Sequence, residues 1–131
     1  MSRRLLIVDD ESDVLQMAAM ILRRAGYEVD EASSGRVALT RVEQHAYDLI
    51  LLDINMPGLD GWEVLRLLKA DDAIANVPVA MFSVRGEVRD KVHGLQEGAL
   101  DYITKPFGVE ELAARVATIL QRGQGTVGRS A

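Results

Sequence analysis

Short apolar runs alternate with longer stretches of helical period along almost the whole sequence, and this alternation limits the possible folds more than any other feature. The apolar runs are Arg4–Val8, Tyr27–Glu31, Leu49–Leu52 with Asp53 at its end, Val77–Ser83 and Leu100–Thr104. Strand and helix signals in alternation are typical of parallel sheets built from strand–helix units. We therefore predict an α/β fold, a doubly wound five-stranded parallel sheet with helices on both faces.

The stretches after these runs carry apolar residues one helical turn apart, which predicts a helix after each strand. The first helix is expected to end near Gly26, and the second to begin near Ser34, with Ser33 or Ser34 as its N-cap. The other three are expected at Gly61–Lys69, around Val88, Val92 and Leu95, and from Val109 to about Gln121.

The same spacing predicts which side chains of each helix face the core. Met17 and Met20 fall on or beside the apolar stripe of the first helix, and we interpret them as core residues. The predicted inward faces of the later helices are Ala38, Val42 and Ala46, then Val64, Leu65 and Leu68, and finally Leu112, Val116 and Ile119.

The length of 131 residues is enough for one domain with a real core and too short for two. We expect that domain to span residues 1–122, with the Gly- and Ser-rich residues 123–131 as a flexible tail or the stub of a linker. The sequence contains no cysteine, which excludes disulfides and thiolate metal sites and suits a reducing, intracellular setting.

The charge and hydropathy pattern excludes two classes of partner. The apolar run after Arg4 stops at Val8 against acidic residues, and no segment approaches the ~18 consecutive apolar residues of a membrane span. With a formal net charge of −5, the domain lacks the basic surface that nucleic-acid binding requires. We therefore expect a cytoplasmic domain that binds neither membranes nor nucleic acid by itself.

Polar side chains follow four of the five predicted strands, at the sheet edge where doubly wound folds bind ligands. They are Asp9 and Asp10 after the first strand, Asp53 after the third, Ser83 after the fourth and Lys105 after the fifth. Three converging carboxylates repel one another unless a cation neutralises them. Oxygen ligands without histidine or cysteine indicate Mg²⁺ or Mn²⁺ rather than zinc.

A carboxylate nucleophile beside a divalent metal, a lysine and a hydroxyl is a set of groups that can transfer a phosphoryl group. Each residue also has an ordinary structural interpretation. Asp9 and Asp10 precede a helix and could be simple caps, Ser83 could bond backbone, and Lys105 could be a solvated loop charge. Asp53 is harder to explain in this way, because a charge after four buried residues gains no packing.

Four segments, "LLIVDDE", "DLILLDINMPGLDGWEVL", "PVAMFSVRGE" and "GALDYITKPF", occur in an order and spacing that resembles the receiver domain of bacterial two-component response regulators. The resemblance covers about residues 4–121, nearly the whole chain. It implies a flavodoxin-like sheet with strand order 2-1-3-4-5. It also implies a phosphorylation-dependent signalling switch that catalyses only its own phosphorylation and dephosphorylation and is not a metabolic enzyme.

The resemblance implies a role for each residue of the set. Asp53 would accept the phosphoryl group from a sensor histidine kinase or a phosphotransfer protein, and Lys105 would contact the phosphoryl oxygens. The metal would be held by the side chains of Asp10 and Asp53, by the backbone carbonyl of Asn55, and by Asp9 through water. Ser83 and Tyr102 would form the switch that alters the face made by the fourth helix, the fifth strand and the fifth helix.

In regulators with winged-helix outputs, that face forms symmetric dimers through opposite charges. The sequence offers Lys91 with Glu111 and Asp101 with Arg115 at the corresponding positions, which implies a possible homodimer. It departs from the family pattern at Leu100, where an acidic residue is usual, and at Ala117, where a basic residue is usual.

Three other classes of protein fit the sequence less well. A flavodoxin-like cofactor binder needs a phosphate cradle after the first strand, where the acidic run from Asp9 would repel a flavin phosphate. An enzyme of the haloacid dehalogenase type needs a second Asp two residues after Asp9, and Glu11 stands there. A receiver-shaped module that no longer accepts phosphate stays open until phosphorylation of Asp53 is tested.

Overall fold

The computed structural model describes residues 3–83 and 98–129. The strands are β1 (Arg4–Val8), β2 (Glu28–Ala32), β3 (Leu49–Asp53), β4 (Val79–Ser83) and β5 (Asp101–Thr104). The helices in these ranges are α1 (Ser12–Arg24), α2 (Gly35–Gln44), α3 (Gly61–Ala70) and α4 (Val109–Arg129). The helix predicted around Val88, Val92 and Leu95 lies outside the described residues.

All five strands are parallel and lie in the order β2-β1-β3-β4-β5. This confirms the predicted doubly wound sheet, its strand order and the edge position of β2. In the register of the sheet, Val8 lies opposite Leu52, and Asp53 lies opposite Phe82. The carboxyl ends of β1, β3 and β4 therefore meet at one edge of the sheet.

Two apolar clusters cover the two faces of the sheet. In β1, Leu5 and Ile7 belong to the cluster that also contains buried residues of α1 and α4, whereas Leu6 and Val8 belong to the cluster beneath α2 and α3. Successive side chains of a strand point to opposite faces, so a strand covered on both sides must be apolar throughout. This explains why β3 reads as the unbroken run Leu49–Leu52.

Several predicted boundaries differ from the structure for identifiable reasons. β2 begins one residue late, because the N–H of Tyr27 bonds the carbonyl of Leu22 at the end of α1. β4 begins two residues late, at Val79, since Pro78 accepts a hydrogen bond from Ile50 but has no N–H to donate.

The last helix extends beyond its predicted end at Gln121 and continues to Arg129. Glycine within a helix costs only about 1 kcal/mol relative to alanine, so the glycines after Gln121 weaken the helix without excluding it. A helical backbone at these residues does not test whether they belong to the domain or to a linker. The division between a domain of residues 1–122 and a tail therefore stays a proposal.

Two predictions about burial are wrong. Met17 and Met20 are each 50% exposed, because each lies one position, about 100° around α1, from the buried pair Ala18 and Ala19. Ala46 is exposed because α2 ends at Gln44 and the chain is already extended at the following residue. The other predicted inward residues of α2, α3 and α4 are buried.

Within the described ranges, no helix is long and apolar enough to cross a membrane.

Candidate functional site

Three carboxylates meet at the carboxyl edge of the sheet. Asp9 and Asp10 follow β1, and Asp53 is the last residue of β3. One oxygen from each lies within 4.8 Å of the others, so the three groups could hold a metal ion. Asp9 is fully buried, Asp53 is 4% exposed and Asp10 is exposed. The sequence therefore predicted correctly that these three side chains lie together.

Backbone hydrogen bonds hold two of the carboxylates in place. The N–H of Asp9 donates to the carbonyl of Ala32 at 3.1 Å, which continues the pairing of β1 with β2 past the end of the strand. Oδ1 of Asp9 accepts from the N–H of Glu11 at 2.9 Å. After β3, the N–H of Ile54 donates to the carbonyl of Phe82 at 3.2 Å, which fixes the backbone beside Asp53.

Lys105 brings a buried positive charge to the carboxylates. Its Nζ lies 2.5 Å from Oδ2 of Asp9, 3.3 Å from Oδ1 of Asp53 and 3.8 Å from Oε1 of Glu11. Nζ also lies 5.8 Å from the ring centroid of Phe82, within the range of a cation–π contact. The peptide bond between Lys105 and the next residue is cis. Lys105 is therefore part of the site rather than a solvated loop charge.

Burial and mutual repulsion shift the protonation of these groups. Burial raises the pKa of Asp53 to about 7, and the charge of Asp9 adds to this rise, while Lys105 and the N–H of Asn55 act against it. Burial alone would lower the pKa of Lys105, but its hydrogen bonds and charge contacts with Asp9 and Asp53 raise it above its ordinary value. The negative charge of the site is thus only partly compensated by protein groups.

The loop after β3 returns the chain tightly against Asp53. The N–H of Gly61 donates to the carbonyl of Ile54 at 2.8 Å, and a Cβ on Gly61 would lie 2.3 Å from the backbone oxygen of Asp53. Asp60 and Glu63 then form a reciprocal capping box that starts α3. Sequence reasoning missed the role of Gly61, although a glycine at the start of a predicted helix was a usable signal.

The remaining predicted site residues are placed less completely. Asn55 is exposed, and its N–H donates a hydrogen bond to the Asp53 carboxylate, while the predicted role of its carbonyl as a metal ligand stays a prediction. Ser83 ends β4 opposite Thr104, and its side chain lies outside what the structure describes. Tyr102 on β5 is 5% exposed, with its ring centroid 6.4 Å from that of Trp62.

Beside the carboxylates lies a cavity of about 350 Å³ between α1 and the loop after β5. Apolar side chains form most of its wall, with charged groups at its edge. The lining residues are Glu11, Asp13, Val14, Met17, Lys105, Pro106 and Phe107. This cavity opens next to the ammonium group that contacts Asp53, and it was not predicted from the sequence.

Three of the four charged residues predicted for a dimer face, Asp101, Glu111 and Arg115, have partners within the chain. The two carboxylate oxygens of Asp101 accept from Arg115 at 2.8 Å and from Arg122 at 2.7 Å. Oε1 of Glu111 accepts from the N–H of Gly108 at 3.3 Å. Lys91 lies outside the described residues.

Comparison with known protein families gives a direct match. The model of the response regulator receiver domain matches residues 5–117. This chain belongs to the response regulator receiver domain family. A receiver domain of this family is a phosphorylation-dependent signalling switch of two-component systems. The predicted family is confirmed.

Curated relatives are similar over part of their length. The phosphate regulon transcriptional regulatory protein PhoB of Klebsiella pneumoniae is 40% identical over 122 residues, which are 93% of this receiver domain and 53% of PhoB. The transcriptional regulatory protein PrrA of Mycobacterium tuberculosis is 47% identical over 125 residues, which are 95% of this receiver domain and 53% of PrrA. The chain spans about half the length of these relatives.

Solved structures show the same fold. The chemotaxis protein CheY4 of Vibrio cholerae superposes with a TM-score of 0.87 at 30% identity, and the match covers 91% of this receiver domain and 99% of CheY4. NtrX of Brucella abortus superposes with a TM-score of 0.92 at 32% identity, over 99% of this domain and 30% of NtrX.

Proposed function

We propose that Asp53 accepts a phosphoryl group from a phosphohistidine of a sensor kinase or phosphotransfer protein, in the presence of Mg²⁺ or Mn²⁺. The observation that carries this proposal is the position of the Asp53 carboxylate, buried at the end of β3 between acidic groups and 3.3 Å from Nζ of Lys105. The rigid, fully buried strand behind Asp53 supports a nucleophile that must meet its substrate in one geometry.

The donor set fits a hard divalent cation. Three carboxylates within reach of one another, one of them with its pKa raised to about 7, leave negative charge that Lys105 alone does not offset. The side chains of Asp10 and Asp53, the carbonyl of Asn55 and, through water, Asp9 would hold the ion. When bound, it would neutralise charge on the phosphoryl oxygens and allow the carboxylate to approach phosphorus.

In the proposed transfer, a carboxylate oxygen of Asp53 attacks phosphorus and forms a P–O bond. The P–N bond of the donor breaks, and its electron pair stays on the imidazole nitrogen. Lys105 offsets the charge of the phosphoryl oxygens from the side of β5. In dephosphorylation, a water oxygen attacks phosphorus, the P–O bond to Asp53 breaks with its electron pair left on the carboxylate, and inorganic phosphate leaves while the water proton passes to solvent. Both reactions act on the domain itself.

We propose that Ser83 and Tyr102 relay this change to the face that includes β5 and α4. The register supports the geometry, because β4 and β5 are paired and place Ser83 opposite Thr104, two residues from Tyr102. Tyr102 lies on β5 and is buried in the cluster beneath α2 and α3, so a change in its ring position would change the packing beside β5.

The cavity beside Lys105 is the proposed docking site of the phosphoryl donor. A histidine can reach Asp53 only if the donor protein covers the carboxyl edge of the sheet. The cavity supplies an apolar contact there, through side chains that include Val14, Met17 and Phe107. Met17 is half exposed, which suits a residue that becomes buried against a partner.

Dimerisation through Lys91, Asp101, Glu111 and Arg115 stays a proposal. Asp101 already pairs with Arg115 inside the chain, so a dimer would exchange one ion pair for another and gain little. Sedimentation with and without the phosphoryl mimic beryllofluoride tests it. A monomeric mass at high protein concentration in both conditions would reject the dimer.

We further propose that this domain acts in the cytoplasm without binding nucleic acid itself. The net charge of −5 supports the second point, and the lack of cysteine suits a reducing compartment. We keep the proposal that residues 123–131 act as a tail or linker stub.

The phosphorylation proposal is tested with acetyl phosphate and Mg²⁺. Intact-mass spectrometry should show the gain of one phosphoryl group in the wild-type chain and none in Asp53→Asn. Asp13→Asn is the matched control, because Asp13 is an exposed carboxylate near the site that is not among the three acceptor-site carboxylates. No mass gain, or an equal gain in Asp53→Asn, would favour a receiver-shaped module that does not accept phosphate.

A further inference from the structure

The only tryptophan of the sequence lies between the acceptor site and the buried tyrosine. Trp62 is half-buried in the first turn of α3, and its ring centroid lies 6.4 Å from that of Tyr102, with the ring planes tilted by 53°. Tilted aromatic pairs at this separation attract each other. Trp62 also packs against the apolar cluster to which Tyr102 belongs. The contact between these two rings is therefore part of the core beneath α3.

The backbone of Trp62 is tied to the acceptor residue through its neighbour. Gly61 donates to the carbonyl of Ile54, and it approaches the backbone of Asp53 more closely than any residue with a Cβ could. The capping box of Asp60 and Glu63 fixes the same turn from the other side. A displacement of the Asp53 backbone would therefore move the first turn of α3, and with it the indole ring.

We infer that Trp62 is a positioning residue that holds the ring of Tyr102 and couples it to the loop after Asp53. This inference rests on the proposed switch role of Tyr102 and adds a second route to it, through the β3–α3 loop rather than through β4. The indole supplies one wall of the site in which the Tyr102 ring lies. Loss of the indole should shift the balance of Tyr102 ring positions about two- to tenfold.

Fluorine NMR of the full chain labelled with 3-fluorotyrosine tests the contact. The sequence has three tyrosines, so the Tyr102 resonance can be assigned from the spectrum of Tyr102→Phe. Trp62→Leu should move or broaden that resonance, and Trp62→Phe should restore most of the wild-type position. Leu67→Ala is the matched control, because Leu67 lies on the same helix but is 48% exposed, and it should leave the resonance unchanged. Circular dichroism checks that each variant is folded.

Addition of beryllofluoride and Mg²⁺ tests the coupling. The chemical shift of the wild-type Tyr102 resonance should change on addition. This change should be at least twofold smaller in Trp62→Leu and close to the wild-type change in Trp62→Phe. An identical Tyr102 response in the wild type and Trp62→Leu would overturn the inference and leave the proposed function standing. A Tyr102 resonance that shifts in Trp62→Leu but never responds to beryllofluoride would instead support the ring contact and reject the switch role of Tyr102.

Discussion

Nζ of Lys105 lies 3.3 Å from Oδ1 of Asp53, although Asp53 ends β3 and Lys105 follows β5, two strands that are not neighbours in the sheet. β4 separates them, and Phe82 on β4 lies directly beneath the ammonium group. The charge of Lys105 is shared, because Asp9 is even closer to it. Any change to Lys105 therefore affects two buried carboxylates at once.

Lys105→Met should reduce phosphorylation of Asp53 by acetyl phosphate roughly 100-fold, since it removes a buried charge that faces the phosphoryl oxygens. The substitution keeps the length of the side chain, and circular dichroism should show a folded protein. Lys69→Met is the control, because Lys69 is a partly buried lysine that donates to the carbonyl of Ala75, away from the site. Equal rates for Lys105→Met and the wild type, measured by mass spectrometry over time, would contradict the role of Lys105.

Asp53→Asn should be more stable than the wild type above pH 7 when metal is removed by a chelator. The folded-state pKa of Asp53 is raised to about 7 from 3.8, so the native state binds more protons than the unfolded state between these values. Stability therefore falls as pH rises through this window, and the loss is complete above about pH 7. Asparagine carries no titrating group, so above pH 7 the free energy of unfolding of Asp53→Asn should exceed that of the wild type by on the order of 1–3 kcal/mol.

Urea unfolding at pH 4.5 and pH 8 with a chelator measures this difference. The stability advantage of Asp53→Asn should be small at the lower pH and largest at the higher pH. Asp13→Asn is again the control, since its carboxylate is exposed. Parallel pH profiles for the wild type and Asp53→Asn would show that Asp53 titrates normally.

Most of the fold could be predicted from the sequence because its signals are local. The apolar run Leu49–Leu52 requires a strand covered on both faces, and Gly26, with φ of 103°, marks the end of α1. The wrong predictions concern the burial of side chains, which depends on tertiary contacts. Whether Met17 lies in the core or beside a cavity depends on how α1 is rotated over the sheet, and helical spacing gives that rotation only to within about one residue.

The candidate site could be predicted as a set because strand ends fix position. Parallel topology brings Asp9, Asp10 and Asp53 to one edge without any knowledge of side-chain packing. The pairing of Lys105 with Asp9 could not be predicted, because it depends on the path of the loop after β5. The glycine at the start of the predicted helix indicated a close contact, but the sequence alone could not show that Gly61 makes this contact with the backbone of Asp53.

Addition of Mg²⁺ should stabilise the wild-type chain and have a smaller effect on Asp10→Asn. The metal neutralises the carboxylate cluster only in the folded state, so it shifts unfolding by mass action, by about 2.7 kcal/mol at a hundredfold excess over its dissociation constant. Asp10 is exposed and makes no buried ion pair in the described residues, so its substitution should not destabilise the metal-free chain, and the loss of repulsion from Asp9 and Asp53 should stabilise it slightly. Thermal unfolding with increasing Mg²⁺ measures both effects, and an equal shift in Asp10→Asn would remove Asp10 from the metal site.

Met17→Glu should slow phosphotransfer from a sensor kinase more than tenfold and leave phosphorylation by acetyl phosphate unchanged. Met17 lines the cavity beside Lys105, and a charge there would have to be buried against the apolar surface of the partner. The small donor needs no docking surface, so its reaction with Asp53 reports the chemistry alone. A kinase suitable for the assay is one that phosphorylates the wild-type chain within minutes.

Met20→Glu is the matched control for this docking site. Met20 lies on the same helix and is also 50% exposed, but it does not line the cavity. If the cavity receives the partner, Met20→Glu should accept phosphate from the kinase at close to the wild-type rate. Equal slowing by both substitutions would indicate a general effect of charge on α1, and slowing by neither would place the docking surface elsewhere. A loss that extends to acetyl phosphate would show instead that Met17→Glu disturbs Lys105, since both residues line the same cavity.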